Sequence, residues 1–326
     1  MEKKIPTKRI VNVRVVEKDE SEKLVVTEEE KRKTIEFITE YLKEKKDRSQ
    51  KEEKRVLKHM RPQSLYRVIE RNTVFTNKEK MINALIETGD IEYMYKAAIL
   101  MKREDNIYIS RIQDYIMKSG QVEYIIDFAC NIQNADMDKL EDTIIALGDA
   151  KYIYEFLVKV MASKGKVNVE KLVNAIIATK NAKYIYELAV FIQNLDEMVH
   201  GMIIKYSQKL EDAIVNTYGT EYIALFARDI RWADKERLED TVMDNKDVVG
   251  VYYFALYIDV VDIEDLEDIV VESNNVEYMS KFYEDIESAD KERLVKAIYL
   301  TDDKDAIDRF EKERYEATKV KQYYLK

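Results

Sequence analysis

From about residue 81 to residue 310 one pattern recurs, and it restricts the fold more than any other feature of the chain. Its first half reads YIYEF at 152–156, YIYEL at 184–188, YIALF at 222–226 and YMSKF at 278–282. Its second half reads LEDTII at 140–145, LVNAII at 172–177, LEDAIV at 210–215, LEDTVM at 238–243 and LEDIVV at 266–271. The first half leads with Tyr93, Tyr124, Tyr152, Tyr184, Tyr222, Gly250, Tyr278 and Ala306, in steps of 31, 28, 32, 38, 28, 28 and 28. The second half leads with Met81, Ile112, Leu140, Leu172, Leu210, Leu238, Leu266 and Leu294, each 12 residues ahead of the next Tyr-type position. A repeating unit of this size buries its apolar face by stacking on its neighbours. All insertions fall between a Tyr segment and the following Leu segment, the longest between Tyr184 and Leu210, which assigns them to one edge of the stack.

Both halves read as helix. In the Tyr segment, Tyr152, Ile153, Phe156, Leu157 and Val160 follow a 3.6-residue period, and strict alternation is absent. The chain has 7 Gly and 2 Pro, both prolines lie at or before Pro62, and little else would interrupt a succession of helices. The pairs at 89–90, 119–120, 148–149 and 274–275 read as a left-handed stop followed by a cap for the Tyr helix. Asp136, Asp234, Asp262 and Asp290 stand four residues before the Leu-type position, where a carboxylate caps free amides and meets the positive end of the helix dipole. The expected fold is an all-α solenoid of stacked helix pairs over 61–310, with an N-terminal head at 1–60 and a helical tail at 311–326.

The head differs in character. Segments 9–16 (RIVNVRVV) and 23–26 (KLVV) suggest a hairpin, and Thr27 with Glu30 forms a capping-box pattern. Residues 43–55 (KEKKDRSQKEEKR) have almost no apolar face. Residues 1–80 hold 23 Lys and Arg against 16 Asp and Glu, whereas residues 81–326 hold 31 against 48, so a basic head precedes an acidic body. The single cysteine, Cys130, reads as a buried reduced thiol, and no apolar run approaches a membrane span or a secretory leader. A cytoplasmic protein is expected.

The YIYEF…LEDAII wording over 81–310 resembles two-helix α-solenoid repeat arrays in uncharacterised proteins of low-GC Gram-positive bacteria and their phages. That resemblance implies a protein-interaction scaffold and, for phage-borne arrays, inhibition of a bacterial defence nucleoprotein by nucleic-acid mimicry or occlusion. Gly250, Ala306 and the Tyr184–Leu210 insertion depart from the repeat consensus.

Three groups of residues are candidates for contact. Tyr95, Tyr154, Tyr186 and Tyr252 sit two residues past the leading position and about 200° around the helix from it; they either pack between repeats or line a groove. Glu141 with Asp142, Glu211 with Asp212, Glu239 with Asp240 and Glu267 with Asp268 recur as an acidic ladder, either bonded within the array or able to steer a basic partner. Lys45, Lys46, Arg48, Lys51, Lys54 and Arg55, within the basic stretch 43–71, are either an ordinary charged surface or a nucleic-acid contact. His59 and His200 stand far apart with no nearby cysteine, and no Gly-rich phosphate loop or nucleophile motif is present. The expectation is a non-enzymatic protein-binding solenoid, adaptor or inhibitor, without cofactor or metal, whose acidic surface engages a basic or nucleic-acid-binding protein; the alternative is a nucleic-acid-associated protein using 43–71.

Overall fold

The computed structural model describes residues 29, 32–36, 57–70, 78–101, 106–163, 165–196, 201–217, 219–258 and 261–324. The expected hairpin, the box of Thr27 and Glu30, and the run 43–55 lie outside them. The described residues form helices joined by short turns, with no strand among them. None of these helices is long and apolar enough to cross a membrane. The fold is an all-α helical solenoid. It divides into two compact units, Met1–Met101 and Lys102–Lys326.

In the first unit, α1 (Pro62–Glu70) packs on α2 (Lys78–Glu87) and α3 (Ile91–Met101). Proline suits the first position of α1, where its missing N–H has no helical acceptor to lose. Leu65, Met81, Ile82, Leu85 and Met94 fill the contact and are fully buried.

The second unit is built of Leu-type and Tyr-type helices in alternation: α4 (Asn106–Ser119) and α5 (Val122–Asn131), α6 (Met137–Ala146) and α7 (Ala150–Ala162), α8 (Val169–Ala178) and α9 (Ala182–Asp196), α10 (Met202–Val215) and α11 (Thr220–Asp229). It continues with α12 (Lys235–Asp244) and α13 (Val248–Tyr257), α14 (Ile263–Glu272) and α15 (Val276–Asp285), and α16 (Lys291–Leu300) and α17 (Lys304–Tyr324). Each Tyr helix from α5 to α15 packs on the next Tyr helix, and the Leu helices pack against their sequence neighbours. In the unextended repeats both helices have ten residues, about 15 Å, too short to persist alone. Stacking therefore supplies most of their stability. The Leu-type positions Ile112, Leu140, Leu172, Leu210, Leu238, Leu266 and Leu294 are all fully buried. Four residues past each Tyr-type position stand Phe128, Phe156, Leu188, Phe226, Phe254, Phe282 and Phe310, equally buried. These two rows are the core.

The constant 12-residue joint has a stereochemical cause. Four residues before seven of the eight Tyr-type positions the backbone turns left-handed, at Gly89, Gly120, Gly148, Lys180, Lys246, Asn274 and Asp302, and the corresponding residue before Tyr222 lies outside the described residues. Except at Gln121, which makes no side-chain cap after Gly120, the next residue caps the following helix: Asp149 accepts from the Lys151 amide at 2.8 Å, and Asn181, Asp247 and Asn275 accept likewise. Thr88, Ser119, Thr179 and Ser273 close the turn by donating back to a carbonyl three residues earlier. One left-handed residue and one cap leave no room for a longer link. Lysine pays a steric penalty at positive φ that glycine does not. Lys180→Gly and Lys246→Gly are therefore expected each to raise stability by roughly 0.5–1 kcal/mol, read as the urea midpoint, whereas Gly148→Lys should lower it.

Insertions lengthen the helices on either side of the other connection. α7 has 13 residues, α9 has 15 and α10 has 14. Gly250, which replaces the leading tyrosine, marks a close approach of α13 to α11. A Cβ there would lie 2.4 Å from the Thr220 Cβ and 2.9 Å from its Oγ1. Gly219 is pressed in the same way, 2.4 Å from the Ala182 Cβ.

Candidate partner-binding surface

The acidic ladder is drawn largely into the array. The Glu141 carboxylate is 1% exposed, and its Oε1 accepts the Asn168 amide at 2.7 Å. Asn168 caps α8, so the glutamate of one Leu helix holds the first residue of the next. The same bond joins Glu211 to the Asp234 amide at 3.1 Å, Glu239 to Asp262 at 3.1 Å and Glu267 to Asp290 at 2.8 Å. In α4 the position is Gln113, which accepts from the Asp136 amide and donates to the Asp136 carbonyl, both at 2.8 Å.

In three of the four pairs the second carboxylate, Asp142, Asp212 or Asp268, faces outward and takes a cation from the next helix. Lys171 bridges Glu141 at 3.3 Å and Asp142 at 2.8 Å. Arg237 spans Glu211 at 3.0 Å and Asp212 at 2.7 Å, and Arg293 spans Glu267 and Asp268. A guanidinium donating to two carboxylates is a geometrically demanding contact that fixes the register of both helices. Arg237 holds the Asp212 carboxyl below its usual range. These cations stand one residue before the Leu-type position, a shared register of basic residues that the acidic pattern alone does not reveal. At α8 the glutamate is replaced by Val173. There Gln193 of the extended α9 reaches to the Asp229 carbonyl at 3.0 Å and the Arg231 amide at 2.8 Å.

The step from α12 to α14 lacks its cation. Asp265 occupies the position held elsewhere by Lys171, Arg237 and Arg293. Partial burial, together with Asp240, Asp262 and Asp265, pushes the Glu239 carboxyl above its ordinary range. A carboxyl with a raised folded-state pKa binds its proton more tightly folded than unfolded, so its ionisation costs stability at neutral pH and the cost disappears as pH falls through that folded pKa. Glu239→Gln keeps an oxygen for the Asp262 amide, as Gln113 does for Asp136. This variant is expected to be more stable than the parent at pH 7 and to lose that advantage near pH 4, in urea titrations at both values.

The second-position tyrosines meet the following repeat. Tyr154 lies 5.9 Å from Tyr184 and 6.3 Å, edge-on, from Phe191. Tyr186 lies 6.1 Å from Tyr222 and donates its hydroxyl to Asp229 Oδ2 at 2.6 Å. Tyr252 lies 5.7 Å from Tyr278 and donates to Asp285 Oδ2 at 2.6 Å. In every case the partners are the leading position and the residue seven beyond it in the next Tyr helix. Burial and the Asp229 carboxylate push the Tyr186 phenol up to about 12, and burial with Asp285 raises Tyr252 as well. Tyr95 is half-buried in α3.

Lys45, Lys46, Arg48, Lys51, Lys54 and Arg55 lie outside the described residues, as does His200, and His59 is exposed in the first unit. Cys130 is half-buried, not fully buried as expected, and burial raises its thiol above the ordinary range. It borders an open cleft of about 980 Å³, lined also by Glu141, Ser163 and Asn168, where the 163–168 connection is lengthened. Among the described residues no group of three or more His, Cys, Asp or Glu is placed to hold a metal ion.

What remains at the surface is a second acidic series, two residues before the Leu-type position. Asp138, Glu170, Glu236, Glu264 and Glu292 are all exposed in the first turn of their helices, where the dipole favours them. Glu170 pairs with Lys205 at 2.9 Å. The chain matches no protein-family model, no curated protein and no solved structure.

Proposed function

We propose that this chain is a non-enzymatic protein-binding solenoid, an adaptor or inhibitor, whose acidic repeat surface engages a basic partner. The observation that supports it is the solvated series Asp138, Glu236, Glu264 and Glu292, at one register of α6, α12, α14 and α16, while the Glu-Asp pairs of α6, α10 and α14 are held by the array's own cations. Carboxylates at fixed register on stacked helices superpose their fields, speed encounter with a positively charged surface and reject negative ones. Tyr154, Tyr186 and Tyr252 contribute to this function chiefly by holding successive helices at the spacing the surface requires.

The test is capture of the full chain with its partner from a native cell extract, with cross-linking and mass spectrometry. The expected outcome is a protein joined through the lysines and arginines of its own surface to the first turns of the Leu helices, and released as salt is raised. Recovery of no macromolecule, together with binding of a small molecule, would overturn the reading.

A further inference from the structure

Helix α13, VVGVYYFALY, is the one described helix of seventeen that carries no charged side chain. Gly250, Val251, Tyr252 and Phe254 account for its buried side. Val249, Tyr253, Leu256 and Tyr257 fall within about 100° of one another on the opposite side. None of these four is buried: Leu256 is 37% exposed and the others are half-exposed. Tyr253 and Tyr257 stack at 5.6 Å with 22° between their planes. The flanking Tyr helices place Glu221 and Glu277 where α13 has Val249. An apolar face is thus set into a charged surface.

Its rim has a definite sign. Arg228 and Lys281 border the face, but each already holds a carboxylate: Arg228 holds Asp229 at 2.8 Å and Lys281 holds Glu277 at 2.7 Å. Glu221, beside Tyr253, and Asp285, which accepts the Tyr252 hydroxyl, are left unneutralised by these two cations. The aromatic rings also accept cations, with Arg228 4.6 Å from the centroid of Tyr257 and Lys281 4.4 Å from that of Tyr278. We infer that the exposed face of α13 is the docking site for an amphipathic helix of the partner protein, with apolar anchors one turn apart and flanking lysines or arginines. This inference rests on the reading of the chain as a binder of basic proteins. The anchors cover Val249, Tyr253 and Leu256, and the flanking cations meet the rim carboxylates and the tyrosine faces.

The probe is a labelled 18-residue synthetic helix with Leu and Trp at i, i+4, i+7 and i+11 and Lys elsewhere, titrated into the full chain by fluorescence anisotropy. Its control is a scrambled isomer of the same composition. The expected result is binding at least tenfold tighter than the isomer, with hydrogen-exchange protection over 248–257, and a loss of tenfold or more on Leu256→Asp or Val249→Lys. Both substitutions fall on the solvent side of the helix, so an unchanged melting curve in either one separates lost contact from lost folding. Equal binding of the two peptides, untouched by either substitution, would overturn the docking site while leaving the acidic-surface reading standing. Absence of binding by both peptides would overturn the docking site, and the extract capture then decides the wider reading alone. A self-associating chain that Leu256→Asp makes monomeric in sedimentation would show a second copy as the occupant and overturn the inference as well.

Discussion

Phe254→Ala is expected to lower the stability of the second unit by about 3–5 kcal/mol, among the largest effects of any single truncation in the chain. The ring is fully buried in α13, in register with Phe226 and Phe282 of the helices on either side. In a compact domain neighbouring elements can close on such a void from several directions. A helix in a stack is restrained by two neighbours, so the space left between α11 and α15 relaxes little. Against the 5–15 kcal/mol that holds an ordinary domain, the loss should uncouple the repeats around 248–257. A urea titration followed by circular dichroism should then show either an early midpoint or a separate first transition. Phe191 is the internal control, because it is only partly buried and borders Tyr154. Phe191→Ala should cost clearly less, and equal losses at the two sites would mean that the buried phenylalanine row is not the core.

Gly250→Tyr should also be strongly destabilising, although it restores the residue that leads most other repeats. Consensus substitutions in repeat proteins usually stabilise, so the sign is a sharp test. The Thr220 Cβ lies 2.4 Å from where the new Cβ must go, and a Cβ cannot rotate away. Helices α11 and α13 would have to separate, disturbing the Thr220 hydroxyl bond to the Asp247 cap. Overpacking of this kind costs typically about 1–3 kcal/mol, and more where backbone must move. Gly250→Ala should already show a substantial part of it. A neutral or stabilising Gly250→Tyr, measured by the same urea titration, would mean that α11 and α13 are not held at this separation.

The array was legible from spacing because burial enforces spacing. A 28-residue period, the Leu-type row and the Asp caps all report contacts that each repeat must make in the same way, and all appear in the described structure. The left-handed joint was legible where glycine marks it, as at Gly148, and not at Lys180 or Lys246, because lysine carries no signal of positive φ. The Glu-Asp pairs were visible, but their destination was not. A carboxylate that caps the next helix and one that faces solvent have the same sequence, and the difference lies in Lys171, Arg237 and Arg293, some 25 to 30 residues downstream. Likewise the partners of Tyr186 and Tyr252 are Asp229 and Asp285, 43 and 33 residues away. Gly250 read as a departure from consensus, whereas in the fold it is the mark of a tight helix contact, on a helix whose outer face is apolar.

That the ladder is an internal brace can be tested by one measurement, a pair of double-mutant cycles on the same register at two steps, read by urea unfolding at pH 7. One cycle joins Glu211→Gln and Arg237→Gln; the other joins Glu239→Gln and Asp265→Asn. The first pair lies 3.0 Å apart with opposite charges, whereas the second places a carboxylate where the cation stands. The expected result is a favourable coupling on the order of 1 kcal/mol between Glu211 and Arg237 and an unfavourable one between Glu239 and Asp265. Additive effects in both cycles would contradict the brace and return the whole ladder to the solvated surface.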